Sequence, residues 1–202
     1  MRPPKLIAVT QRVEVVTSYA ERRDCLDQRW VSFLQACGFA LIPIPNSGAA
    51  ISEWLDLIKP RGLVLSGGND LVALGGDAPE RDATESAVVQ WALSTDVPLV
   101  GVCRGMQFLA HRSGCQLERR NGHVARRHSV RGKGTAKEVN SYHSWCITAA
   151  SEEWNVVATC EDETIEAFQH RSLPHAGVMW HPEREAQFQP SDLQFFQSHF
   201  KG

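Results

Sequence analysis

Val100-Gly101-Val102-Cys103-Arg104-Gly105-Met106-Gln107 joins an apolar run to a helix-forming one at a single cysteine. Glycines stand two residues before and two after it. A strand that turns sharply into a helix strains the residue at the corner and crowds its flanks, so small neighbours are required. The helix start also offers unpaired N–H groups and a positive dipole end, which favour a thiolate. The run therefore predicts a strand over Pro98–Val102, a helix over Gly105–Ser113 stopped at Gly114, and Cys103 as a nucleophile between them. The N–H of Arg104 is placed to donate to a developing oxyanion.

Upstream, apolar strands and helices alternate. Leu6–Thr10, Ala40–Ile44 and Gly62–Leu65 read as strands. Helices are expected over Glu21–Cys37, with Leu26, Trp30, Phe33, Leu34 and Cys37 on one face and Gly38 as the stop, and over Ile51–Ile58. A third runs from a capping box at Asp82-Ala-Thr-Glu85 to Thr95. Continuous apolar strands between helices predict an α/β fold of three layers, αβα, with a mostly parallel sheet covered on both faces. Downstream the reading is of short strands at Trp145–Thr148, Val156–Thr159, Ile165–Phe168 and Gly177–Trp180, then a closing helix at Ser191–Phe200. The 202 residues suit one domain, without repeat or linker.

The Gly177–Trp180 strand leads into His181-Pro182-Glu183. A histidine at a strand end can sit beside the elbow at the same sheet edge, with Glu183 selecting its tautomer. Ser66-Gly67-Gly68-Asn69-Asp70 follows the Gly62–Leu65 strand, and Gly68 is a candidate second oxyanion donor.

Composition narrows the class. A net charge of −2 argues neither for nucleic acid nor for an acidic tail, and no nucleic-acid partner is expected. No apolar stretch approaches the ~20 residues of a membrane span, and the start of the chain lacks a signal-peptide core. Cysteines 25, 37, 103, 115, 146 and 160 form no CxxC pair and read as free thiols of a cytoplasmic protein. His123, His128 and Cys115 match no standard metal spacing, so neither metal nor other cofactor is expected. From Arg119 to Lys137 the chain carries Arg119, Arg120, Arg126, Arg127, Arg131, Lys133 and Lys137 with no acid. Such a run is either a solvated loop or one that folds over the site to hold a diphosphate. Gly132-Lys133-Gly134-Thr135 within it is no P-loop, since Arg127 stands where the upstream glycine belongs.

Taken together, Leu65–Gly68, Gly101–Gln107, Val139-Asn-Ser-Tyr-His143 and Trp180–Glu183 resemble the class I glutamine amidotransferase family and its γ-glutamyl hydrolase (peptidase C26) relatives. The resemblance covers nearly the whole chain and implies a flavodoxin-like fold. It implies that Cys103 attacks a γ-glutamyl amide to form a thioester. His181 serves as acid and base, Glu183 orients it, and Gly68 and Arg104 supply the oxyanion donors. Gln107, Ser141, Tyr142 and His143 are implied contacts to the glutamyl group. Asn69-Asp70 replaces the Pro-Gly of many amidotransferases, and no synthetase domain is fused, so a free-standing hydrolase is expected. Thr10–Arg12, Tyr19–Asp27 and the Ser-Gly-Gly-Asn-Asp run resemble the branch that hydrolyses γ-glutamyl-CDP-amidate in making capsule phosphoramidate. On that reading Asn69, Arg12 and Arg23 join the substrate contacts, with Arg22 a further rival for phosphate. The implied partner is a small γ-glutamyl compound, nucleotide-linked on that reading, and a homodimer is open. The alternatives are a γ-glutamyl-GABA-type hydrolase, a glutaminase subunit feeding ammonia to a separate synthetase, and a silent binding protein on the same scaffold.

Overall fold

The computed structural model describes residues 5–132 and 135–201. In chain order its strands and helices are β1 (Leu6–Thr10), β2 (Arg12–Val16), β3 (Glu21–Cys25), α1 (Arg29–Ala36), β4 (Ala40–Ile44), α2 (Ile51–Ile58), β5 (Gly62–Leu65), α3 (Pro79–Thr95), β6 (Leu99–Val102), α4 (Arg104–Arg112), β7 (Gln116–Arg119), β8 (Val124–Gly132), β9 (Thr135–Tyr142), β10 (Trp145–Ala149), β11 (Trp154–Cys160), β12 (Ile165–His170), β13 (His175–Val178) and α5 (Pro190–His199).

Five strands in the order β4-β1-β5-β6-β13 run parallel and carry the site at their carboxyl ends. The sheet continues antiparallel through β12, β11, β8 and β9, with β10 and β7 branching from β12. The inner strands β1, β5 and β6 are buried on both faces, which is why they read as unbroken apolar runs, whereas β4 at the edge is only partly buried. Alternate residues feed two cores. Ala8, Leu63 and Leu65 pack with Ile51, Leu55, Val88, Met106 and Leu109 of α2, α3 and α4. Ile7, Val9, Val64, Val100 and Val102 pack with Trp30, Phe33, Leu34 and Phe196 of α1 and α5. The chain is thus α/β with three layers, as its sequence predicts.

Three expectations are corrected. The helix over Glu21–Cys37 is only α1; Glu21–Cys25 is instead a strand paired with β2. Side chains hold that hairpin down: Arg22 donates to Glu80 at 2.5 Å, and Asp24 accepts from the backbone and side-chain amides of Asn46. The capping box fails because α3 starts earlier, with Pro79 in its first turn. Asp82 instead accepts from the N–H of Val72 at 3.0 Å and pairs with Arg104, and Glu85 pairs with Arg81 and Arg104. The basic run is no loop over the site. It is mostly the β8–β9 hairpin, joined to the sheet through β11. Its missing acids come from elsewhere: Arg127 pairs with Glu185, Arg131 with Glu161, Lys137 with Asp192, and Arg119 with Asp70. Lys133 and Gly134 lie outside the described residues.

Candidate active site

Cys103 is the corner between β6 and α4, with φ of +51° and ψ of −108°. That conformation lies outside the regions open to a side-chain-bearing residue without strain. The neighbours leave the chain no other course. A Cβ on Gly101 would stand 2.6 Å from backbone atoms of Gly105, and one on Gly105 would overlap Leu65 of the adjacent strand. The N–H of Cys103 donates to Val178 at 2.8 Å, which fixes the corner against β13. Arg104 is the first residue of α4, so position leaves its N–H without a helical acceptor.

His181 follows β13 and turns its imidazole toward that corner. Nδ1 lies 2.7 Å from Oε1 of Glu183, with both side chains buried. A Cβ on Gly67 would overlap Cε1 of His181 and stand 3.3 Å from Nε2. The glycine loop after β5 is therefore the floor on which the imidazole rests. Burial alone would push His181 down, but Glu183 and Cys103 outweigh it and hold it up at about 10. By contrast, burial drives the Cys37 and Cys146 thiols up to about 12, where they stay inert.

Two supports were not predicted. Asn140 clamps the His181 backbone from both sides: Nδ2 donates to its carbonyl at 2.8 Å, and Oδ1 accepts from its N–H at 2.9 Å. Beneath the glycine loop, Arg81 donates to the carbonyls of Ser66, at 2.7 Å, and Gly68. Arg81 is itself held 3.0 Å from Glu85, which also accepts from Thr10 at 2.9 Å and pairs with Arg104. A completely buried arginine on the core side of a helix gives no periodicity signal. For Asn140 the signal was its place in the Val139–His143 motif.

Other expected contacts divide. Arg12 packs its stem against Gly68 and, with Ser66, Gly67, Asp27, Glu183 and Arg184, lines a small cavity. The ring of Tyr142 is 5.7 Å from that of His181. The rest are taken by the fold. Both ends of the Asn69 amide bond the backbone of Val13, at 2.8 and 2.9 Å. Ser141 donates to the carbonyl of His123 at 2.5 Å, and Gln107 to that of Trp145 at 2.9 Å. His143 points away, into a group with His123, His128 and Glu166. Arg23 is exposed and pairs with Glu21 in the β2–β3 hairpin, while Arg22 is held by Glu80.

A cysteine on a strained strand-to-helix corner and a Glu-bound histidine at the next strand end define a nucleophile-elbow enzyme scaffold. Residues 24–200 match the family model described as glutamine amidotransferase class-I, and the chain belongs to that family. It is 34% identical over 183 residues to the γ-glutamyl-CDP-amidate hydrolase of Campylobacter jejuni subsp. jejuni serotype O:2, covering 89% of this chain and 90% of that one. It is 32% identical over 133 residues to the glutamine-hydrolysing GMP synthase of Thermus thermophilus, covering 62% of this chain but 25% of the synthase. A glutamine amidotransferase of Thermotoga maritima superposes with a TM-score of 0.65 at 15% identity, over 99% of this chain and 85% of that one. Among the described residues no helix is long and apolar enough to cross a membrane.

Proposed function

We propose that this protein hydrolyses a γ-glutamyl amide, with γ-glutamyl-CDP-amidate as substrate and glutamate and cytidine diphosphoramidate as products. The observation that carries the chemistry is the meeting of Cys103, on its strained corner, with the Glu183-bound imidazole of His181. An imidazolium beside a thiol favours the thiolate, the form that attacks. The Cys103 sulfur adds to the γ-carbonyl carbon, and the oxyanion is met by the N–H groups of Gly68 and Arg104. His181 gives its proton to the leaving nitrogen as the C–N bond breaks, leaving a thioester. It then takes a proton from water, whose oxygen displaces the sulfur and releases glutamate. Glu183 holds the ring and stabilises its charged form. Arg12, paired with Glu14 and lining the cavity beside Gly67 and Glu183, is the cation we assign to a phosphate of the substrate.

The choice of leaving group rests on the 34% identity to the Campylobacter enzyme along 89% of this chain. The test is to incubate the protein with γ-glutamyl-CDP-amidate, γ-glutamyl-GABA and glutamine and to measure glutamate. Preferred turnover of the first is expected, and Cys103→Ala should abolish it with the fold intact. Turnover of glutamine alone, rising when a synthetase is added, would replace this reading with that of an ammonia-supplying subunit. No turnover of any of the three would reject the hydrolase reading.

A further inference from the structure

Three histidines and a glutamate converge beyond β13, outside the cavity lined by Arg12, Gly67 and Glu183. His123 precedes β8, His128 lies on it, His143 links β9 to β10, and Glu166 is on β12. One ligand atom from each lies within 4.8 Å of all the others. His128 Nε2 is 3.4 Å from Glu166 Oε2, while His143 Nε2 and His123 Nδ1 are 3.5 and 3.8 Å from Oε1. His123, His143 and Glu166 are almost wholly buried. None of these five atoms has a hydrogen-bond partner among the described residues.

The opposite ring nitrogens are all engaged. His123 Nε2 is 2.9 Å from Asp162 Oδ2, His143 Nδ1 is 3.1 Å from the Trp145 carbonyl, and His128 Nδ1 is 3.3 Å from the Cys160 sulfur. A carbonyl can only accept, so Nδ1 of His143 carries the hydrogen. Its Nε2, in the neutral ring, is then a bare lone pair facing the group. Asp162 draws the hydrogen of His123 to Nε2 in the same way, and is itself held by Thr164 Oγ1 at 2.7 Å. Outer carboxylates and carbonyls that fix the tautomer of an inward-facing histidine are the usual surroundings of metal-bound imidazoles. Lone pairs and a carboxylate aimed at one point repel each other unless a cation or a proton stands between them.

We propose that His123, His128, His143 and Glu166 bind one divalent transition-metal ion of the zinc class. Three imidazoles and one carboxylate suit zinc rather than magnesium or calcium, which prefer all-oxygen sites. Tetrahedral bonds of ~2.0–2.1 Å put ligand atoms about 3.3 Å apart, close to the shorter separations here. Four protein ligands leave no open position, so the ion is structural. It ties the Val139–His143 segment, and with it the Asn140 clamp on His181, to β8 and β12. The backbone of Glu166 already receives the N–H of Met179 at 2.8 Å, two residues before His181. This reverses the expectation, drawn from spacing alone, that His123 and His128 hold no metal. Spacing failed because the ligands come from a turn, two strands and a strand junction, each supplying one.

The test uses the full-length protein and does not depend on its activity. Elemental analysis after purification should find about one zinc-class ion per chain, as a closed four-ligand site requires. Chelator-treated wild type titrated with cobalt(II) should develop the visible d–d bands of tetrahedral cobalt, saturating at one equivalent. Its melting temperature should rise with added zinc. His123→Ala with His128→Ala should lose the metal and the bands, whereas His170→Ala, outside the group, should keep both. Wild type that takes up neither ion, or a double variant that binds as wild type does, would overturn the proposal. The wild-type titration decides even where the double variant fails to fold.

Discussion

The contact between Gly67 and His181 gives the most direct handle on the site. Replacing Gly67 by alanine adds one carbon, which would overlap Cε1 of His181 and stand 3.3 Å from Nε2. Carbon atoms at rest are ~3.5–4.0 Å apart, so the ring must withdraw by on the order of 1 Å. The glycine loop cannot give way instead, because Arg81 holds its carbonyls at Ser66 and Gly68 from below. A displacement of about 1 Å in a reacting group costs on the order of 100-fold in rate. Overpacking of this kind also destabilises by about 1–3 kcal/mol. Gly67→Ala should therefore lower kcat for γ-glutamyl amide hydrolysis by roughly two orders of magnitude while changing KM little. Alkylation of Cys103 by iodoacetamide should slow at neutral pH as the imidazole withdraws. His181→Ala supplies the control. In that background Gly67→Ala should cost nothing further in rate, and the stability lost to overpacking should return, because the clashing ring is gone. If Gly67→Ala keeps kcat within a factor of about three, under 1 kcal/mol, the imidazole does not rest where the structure has it, and the reasoning fails.

Other expectations follow from the same contacts. His181 is raised from 6.5 to about 10, so the folded state binds the extra proton between those values. The stability it contributes is full below about 6.5 and falls as pH climbs toward 10; Glu183→Gln should flatten that decline in pH-dependent urea melts. Asn140→Ala should cost about 1–3 kcal/mol, as buried backbone groups of His181 lose their partner, and should lower kcat more than it raises KM. Arg81→Met should destabilise by about 1–3 kcal/mol in thermal melts, since the carbonyls of Ser66 and Gly68 lose their donor and Glu85 keeps only Arg104 as its buried arginine. Arg12→Ala should raise KM for a diphosphate-bearing substrate, whereas Arg23→Ala, whose side chain lies in the exposed hairpin, should leave it unchanged.

The parallel half of the sheet was legible because its inner strands are buried on both faces and carry no competing pattern. Cys103 and His181-Pro182-Glu183 were legible because glycine and proline mark sharp corners. What escaped were features made by distant residues. The β2–β3 hairpin has an exposed outer strand, Glu21-Arg-Arg-Asp-Cys25, that shows no alternation of apolar and polar residues. Its pairing is settled by Glu80 and Asn46, which lie far along the chain. The Arg119–Lys137 run looked free because its acids sit in Asp70, Glu161, Glu185 and Asp192. Asn69, Ser141 and His143 were read as facing substrate from their motifs; each is polar for a structural reason that only the tertiary contacts supply.

The positive φ of Cys103 has a consequence for descent. A side chain held there costs on the order of 1–3 kcal/mol, and glycine at the same point would be free of that strain. Selection for turnover and selection for persistence thus pull this one position in opposite directions. A lineage that lost the need for the reaction would be drawn toward glycine at residue 103 and would become more stable by losing its thiol.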